Sequence, residues 1–336
     1  MIGADELQCA RVAERLDRVQ VRPDEFLVRA ATPEEKRREA NLWFFLVAIC
    51  QSTRTLQGTL DGQWFRGWDY MVHAARRALR SDPETFTATR LLHVTGDELR
   101  SVFSDDGLAE HSTFDRIEER VAQWHNASRL LIERYRGDVM VLHETAGRRL
   151  RDESADHAGI LARLSEFMAY SDPVEKKAFL FIMFAHRCGA WEIEDLDNLK
   201  VAIDYHIMRI ALRSGMVQIQ DPTLERRLKM RQLVTAAEDN LVRDAVRRAC
   251  DLLVRHSHQS VFDVDSILWM MGRNCCFYDH DPCCGGNACT YQDRCTFVRS
   301  IAYLCPGQCL LDGVCLGSCD EAYRAYWETT LYTPFY

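Results

Sequence analysis

The sequence predicts an all-α protein on three observations. Apolar residues recur at helical spacing, most clearly Ile203, Ile207, Ile210 and Ala211 within the stretch 201–215. From Asp69 to Glu153 the chain reads as successive helices divided by short polar breaks at Ser81-Asp-Pro, Thr95-Gly-Asp and Ser104-Asp-Asp-Gly. Two strongly apolar runs, Leu42–Cys50 and Ala178–Ala185, read as buried helices and are too short to span a bilayer. A chain of 336 residues buries a large core and divides into two or three subdomains. The net charge of -8 argues against an extended basic face, although a basic groove can coexist with acidic flanks. Met1–Gln20 is polar and helical in pattern rather than a leader, so the expectation is a cytoplasmic monomer with no membrane partner.

Taken in order, residues 1–40 read as a helix, a turn around Arg22-Pro-Asp, and a charged helix from Pro33. The apolar helix that follows ends in Gln51-Ser-Thr-Arg-Thr, a polar run suited equally to a cleft wall or a solvated helix end. Within Gly62–Trp68, the rings of Trp64, Phe65 and Trp68 suit either a hydrophobic corner or stacking on a base. The helix 116–136 meets Gly137, which suits a C-cap.

Residues 160–185 read as two helices joined at Tyr170-Ser-Asp-Pro-Val-Glu-Lys-Lys, with Asp172 as N-cap and Pro173 as first helical residue. Lys176 and Lys177 then enter an apolar helix. Such lysines either snorkel to solvent or, desolvated beside a carboxylate, serve as amine nucleophiles. Asp204 opens the next helix. It reads either as a cap or as a carboxylate placed for chemistry on a sugar. Residues 222–256 are rich in Arg and Lys, suited to phosphate or to a solvated face.

Ten of the fourteen cysteines lie between Cys275 and Cys319. In a chain without an export signal this argues for metal ligation over disulfides. Cys276-x6-Cys283-x5-Cys289-x5-Cys295 supplies four thiolates for one zinc or one [4Fe–4S] cluster, with Cys275 and Cys284 as alternates. Cys305, Cys309, Cys315 and Cys319 form a second quartet, compatible with zinc, another cluster or free thiols.

Three stretches together resemble the helix-hairpin-helix DNA glycosylases. Ala202-Ile-Asp-Tyr-His-Ile-Met-Arg-Ile-Ala-Leu-Arg is similar to that family's V-D-T-H-V-x-R-V-x-x-R signature, with Asp204 at the catalytic aspartate. Lys176-Lys-Ala matches the K-T-A or K-V-A after the hairpin, where bifunctional members carry a Schiff-base lysine. Met271-Gly-Arg-Asn-Cys-Cys is similar to the start of the iron–sulfur loop of endonuclease III and the adenine glycosylase MutY. Cys50-Gln-Ser-Thr resembles a motif whose glutamine fills the gap left by a flipped base. In place of the hairpin glycines stands Asp172-Pro-Val-Glu, nearer the archaeal 8-oxoguanine glycosylase branch.

The resemblance implies two helical subdomains with the active-site cleft between them. Its layout is an N-terminal arm (1–40), a barrel-like subdomain (41–160), a hairpin and catalytic subdomain (161–265), a [4Fe–4S] loop (266–300) and a second Cys-rich tail (301–336). It further implies a DNA glycosylase that flips out a damaged or modified base, including the hypermodified bases of phage DNA. Asp204 and Lys176 would be catalytic. Gln51, His206, Arg209, Lys177, Trp64 and Trp68 would contact DNA. Two other expectations accompany it: an N-glycosidase for RNA or a modified nucleoside, and a non-catalytic nucleic-acid-binding protein on the same scaffold.

Overall fold

The computed structural model describes residues 2–152, 159–278, 282–290 and 295–336. It is mainly helical, 53% helix and 6% strand, in line with the expected helical class, with three two-stranded antiparallel sheets among the described residues. No helix among the described residues is long and apolar enough to cross a membrane. The chain forms two compact units. One comprises Met1–Asp24 with Lys200–Tyr332, the other Glu25–Leu199 with Thr333–Tyr336.

The larger segment of the second unit is built around the helix Pro33–Ala48. Thr32 and Glu35 close a capping box at its start, Pro33 takes the first helical position, and the helix passes position 40 unbroken. Its residues from Glu39 to Ala48 are all buried. The helices Ile117–Tyr135 and Lys176–Arg187 pack on it, because each turns aromatic side chains toward it. Trp124 donates its indole N–H to the Phe45 carbonyl at 2.7 Å, Phe44 stacks on Tyr170, and Trp43 stacks on Phe184 at 4.4 Å. The Ile117–Tyr135 helix ends as Gly137 suggests: Arg136 and Gly137 are both left-handed, and the Gly137 N–H returns to the Leu131 carbonyl.

The sequence stretch around Trp64 forms a hairpin, Gln57–Leu60 with Gln63–Arg66. Asp61 and Gly62 both adopt positive φ at its tip, which is why Asp-Gly sits there.

The helix expected from Pro173 begins later, at Lys176. The Asp172 carboxylate takes the backbone N–H of Val174 and of Lys176, holding residues 172–175 in a turn that ends with Glu175 left-handed.

The first unit joins sequence-distant pieces. Ile2–Ala4 pairs with Val217–Ile219, and Gln20–Val21 pairs with Ile301–Ala302. The helix Glu6–Leu16 lies on Ala236–His256, while Tyr205–Ser214 packs against Val261–Asn274. Tyr205–Ser214 stops at Gly215, whose φ of 81° disfavours any side chain, and a Cβ there would also meet Leu316. Replacing Gly215 by Ala should therefore lower stability by about 1–2 kcal/mol in a denaturant titration. An unchanged midpoint would refute this account of the helix end.

Candidate active-site residues

In the first unit, Asp204 is the N-cap of Tyr205–Ser214 and is 5% exposed. Its Oδ1 accepts the backbone N–H of His206 at 2.9 Å and of Ile207 at 3.0 Å. Two backbone bonds at a helix N-terminus fix the position of this carboxylate. One turn on, Arg209 is wholly buried. It donates to Glu328 at 2.7 Å, to the carbonyls of Gly272 and Cys276, and to Nδ1 of His206 at 3.0 Å. Burial works against its charge, but Glu328 and the other negative neighbours more than offset that, so its pKa is raised. Arg209 and His206 are thus tied into the scaffold of the Asp204 helix. Arg243 donates to the Ile203 carbonyl at the residue before Asp204, and the Thr329 hydroxyl donates to Asp239.

In the second unit a polar cluster surrounds Gln51, which is 0% exposed. Its Nε2 donates to Glu119 at 2.7 Å and to Gln123 at 2.8 Å. Its Oε1 accepts from Lys177 at 2.8 Å, and Lys177 also donates to the Ala48 carbonyl. Arg120, also 0% exposed, donates to the carbonyls of Ile49, Gln51 and Ser52 and to Asp115. Lys176 donates to Cys50 Sγ at 3.4 Å. Burial pushes the Lys177 pKa from its ordinary 10.5 to about 7. Lys176 and Arg120 push the same way, with Cys50 and Glu119 opposing. Lys177 is the neighbour of the expected nucleophile.

Trp68 is half-buried and lies parallel to Phe184 at 5.6 Å, whereas Trp64 is 53% exposed on the hairpin. The Arg- and Lys-rich helices Pro222–Lys229 and Ala236–His256 hold several of their cations against carboxylates: Arg227 on Glu238, Lys229 on Glu225, Arg247 and Arg248 on Asp244. Glu119, Gln123 and Arg120 escaped the sequence reading. Their signal is polar side chains on the stripe of Ile117–Tyr135 that also carries Ile117, Trp124 and Leu131.

All fourteen cysteines are free thiols. The two expected quartets interleave instead of standing apart. The Cys283 N–H bonds the Cys275 carbonyl, the Cys309 N–H bonds the Cys283 carbonyl, and one pocket is lined by Cys275, Cys276, Cys284, Cys309 and Cys315. Cys319 is exposed. Burial first, then the neighbouring thiols, pushes Cys284 up to about 12. Among the described residues no group of three or more His, Cys, Asp or Glu could hold a metal ion. The expected assembly of Cys276, Cys283, Cys289 and Cys295 as an iron–sulfur site is corrected accordingly. Residues 279–281 and 291–294 of that loop lie outside the described residues.

A family model described as queuosine salvage protein matches residues 42–175. No curated protein matches the chain. Over this stretch the chain is similar to a family other than the helix-hairpin-helix glycosylases, which overturns that recognition and with it DNA base excision and DNA repair. The structure supplies physical reasons for the mistake. Where the hairpin would offer backbone N–H groups to a DNA phosphate, the Asp172 carboxylate already takes two of them, and Glu175 is paired with Arg151. Gln51 is sealed in its network and does not project as a residue that fills a base gap must. The Schiff-base role of Lys176 came with the same resemblance and goes with it. The matched stretch contains Gln51, Trp64, Trp68, Glu119 and Gln123. Lys176, Lys177, Asp204 and the cysteine segment lie beyond its end.

The Lys177 shift has a stability consequence. Its folded pKa lies below the unfolded value, so between about pH 7 and 10.5 the unfolded chain binds more protons at this site. The wild type should gain stability relative to Lys177→Met as pH rises through that window. Urea midpoints of both proteins across that range check this. A constant difference would mean that the amine is not held near neutrality.

Proposed function

We propose that this chain hydrolyses the N-glycosidic bond of a modified nucleoside of the queuosine type, releasing its base. The observation that carries the reading is the match of residues 42–175 to queuosine salvage proteins. Queuosine is a nucleoside built on a 7-deazaguanine, and salvage of its base requires the bond from C1′ to the base nitrogen to break. The electron pair of that bond leaves with the base, positive charge develops on the ribose, and water adds at C1′ while a proton reaches the departing nitrogen.

Asp204 is our choice for the carboxylate that meets this charge. Its placement supports the choice: it is buried, and the two backbone N–H groups hold it at a fixed position. A carboxylate so held needs little reorganisation as charge develops beside it, and low local dielectric strengthens its effect. The scaffold of Arg209, Glu328 and His206 would keep the helix start in register.

The test is mass-spectrometric detection of free queuine after incubation with queuosine, its 5′-phosphate, queuosine-containing tRNA and modified phage DNA. We expect release from the nucleoside or its phosphate, and loss of at least about 10³-fold in rate for Asp204→Asn. Release at the wild-type rate by Asp204→Asn would remove Asp204 from the chemistry. Release from DNA alone would overturn the nucleoside reading.

A further inference from the structure

We propose that Gln123, together with Glu119 one turn earlier on the same helix, recognises the lactam edge of a 7-deazaguanine-type base. The inference deepens the nucleoside reading above and rests on it for the class of base.

The argument follows hydrogen-bond directions. Lys177 has only N–H groups to offer the two oxygens it touches, Ala48 O and Gln51 Oε1, so that end of the Gln51 amide is its carbonyl. The Gln51 nitrogen must then face Glu119 and Gln123, and it donates to both. Gln123 therefore receives that bond on its own carbonyl oxygen. Its Nε2 is left as a buried donor with no acceptor among the described residues, in a side chain only 1% exposed. Flipping the Gln123 amide would set nitrogen against nitrogen, so the network does not relieve it. A buried donor without an acceptor is unfavourable, and a side chain that only accepts would keep the Gln51 bond without leaving one. Something from outside the chain that accepts a hydrogen bond accounts for its presence.

The neighbour narrows the chemistry. One nitrogen of Gln51 touches both Glu119 and Gln123, so their polar ends lie side by side. Glu119 also accepts from Arg116 at 2.8 Å, and its side chain is 24% exposed. Carboxylate oxygens each take more than one hydrogen bond. An amide donor beside a carboxylate acceptor complements a ring carbonyl beside a ring N–H. That is the lactam edge of guanine and its 7-deaza relatives. An adenine-type edge presents a donor and an acceptor in the opposite order. Both residues fall within 42–175.

Calorimetric titration of the full-length protein with free queuine, guanine and adenine tests this without any bond cleavage. Queuine and guanine should bind at least about tenfold more tightly than adenine, and Gln123→Met should abolish that preference. The thermal midpoint of Gln123→Met should change little, since the substitution removes an unmet donor but also the acceptor of one Gln51 N–H. Glu119→Gln offers the same loss of preference through a residue nearer the surface, should Gln123→Met fail to fold. Unaltered base preference in the variants would mean that an internal water answers Gln123, and would overturn the proposal. So would equal binding of all three bases, or no binding. If lactam bases bind selectively but no nucleoside is hydrolysed, the glycosidase reading fails and this one stands. Hydrolysis that depends on Asp204 with base preference unmoved by either variant would have the opposite meaning.

Discussion

Fully buried cations set the terms for much of this structure. Arg209, Arg243, Arg120 and Lys177 are each 0% exposed, and a charge removed from water must be met by oxygens where it lies. Arg209 meets this by drawing the carbonyls of Gly272 and Cys276 and the carboxylate of Glu328 to one point, which ties a helix end, the cysteine segment and the 326–332 stretch to the Asp204 helix. Arg120 does the equivalent for residues 49–52 after the Pro33–Ala48 helix, collecting three carbonyls that leave no regular element to bond them. Lys177 has only two neutral oxygens, and its pKa falls instead. The same physical requirement is thus satisfied by partners in one case and by near-neutrality in the other.

Local structure was legible where a residue's own chemistry decides it. Pro33, Gly137 and Asp204 all mark helix ends because each supplies the first-turn geometry, the positive φ or the cap required there. The boundary at Pro173 was misread because Asp172 can cap in more than one way, and its second oxygen reaches Lys176 instead of starting a helix at the proline. The short strands escaped because two of the three sheets join segments far apart in sequence, over two or three residues each, too few to show alternation. The Gln51 network was invisible for a related reason. Glu119, Gln123 and Lys177 acquire meaning only when folding brings three helical segments together.

The mistaken family assignment has an instructive physical origin. An aspartate followed by apolar residues at helical spacing and two arginines is what any buried, capped helix with a satisfied polar face looks like. Arg213 donates to the Tyr326 carbonyl much as Arg209 does to its own partners, so both arginines of the motif have structural duties here. Dense cysteines were a comparably weak guide, since spacing along the chain says nothing about which thiols meet. The backbone bonds linking Cys275, Cys283 and Cys309 mix members of the two quartets.

The way the two units share the chain bears on how the protein is made. The first unit takes two short strands and the helix between them from residues up to Asp24 and everything else from beyond Leu199. During synthesis from the N-terminus, Ile2–Ala4 has no strand to pair with until Val217–Ile219 has left the ribosome, and Glu6–Leu16 waits longer for Ala236–His256. The second unit is contiguous from Glu25 to Leu199 and can collapse first, leaving the amphipathic Glu6–Leu16 helix exposed meanwhile. Arg116 receives the Thr333 carbonyl only after that residue emerges. A ribosome that stalls before residue 217 would therefore leave Ile2–Ala4 without its partner strand and an amphipathic helix in search of cover.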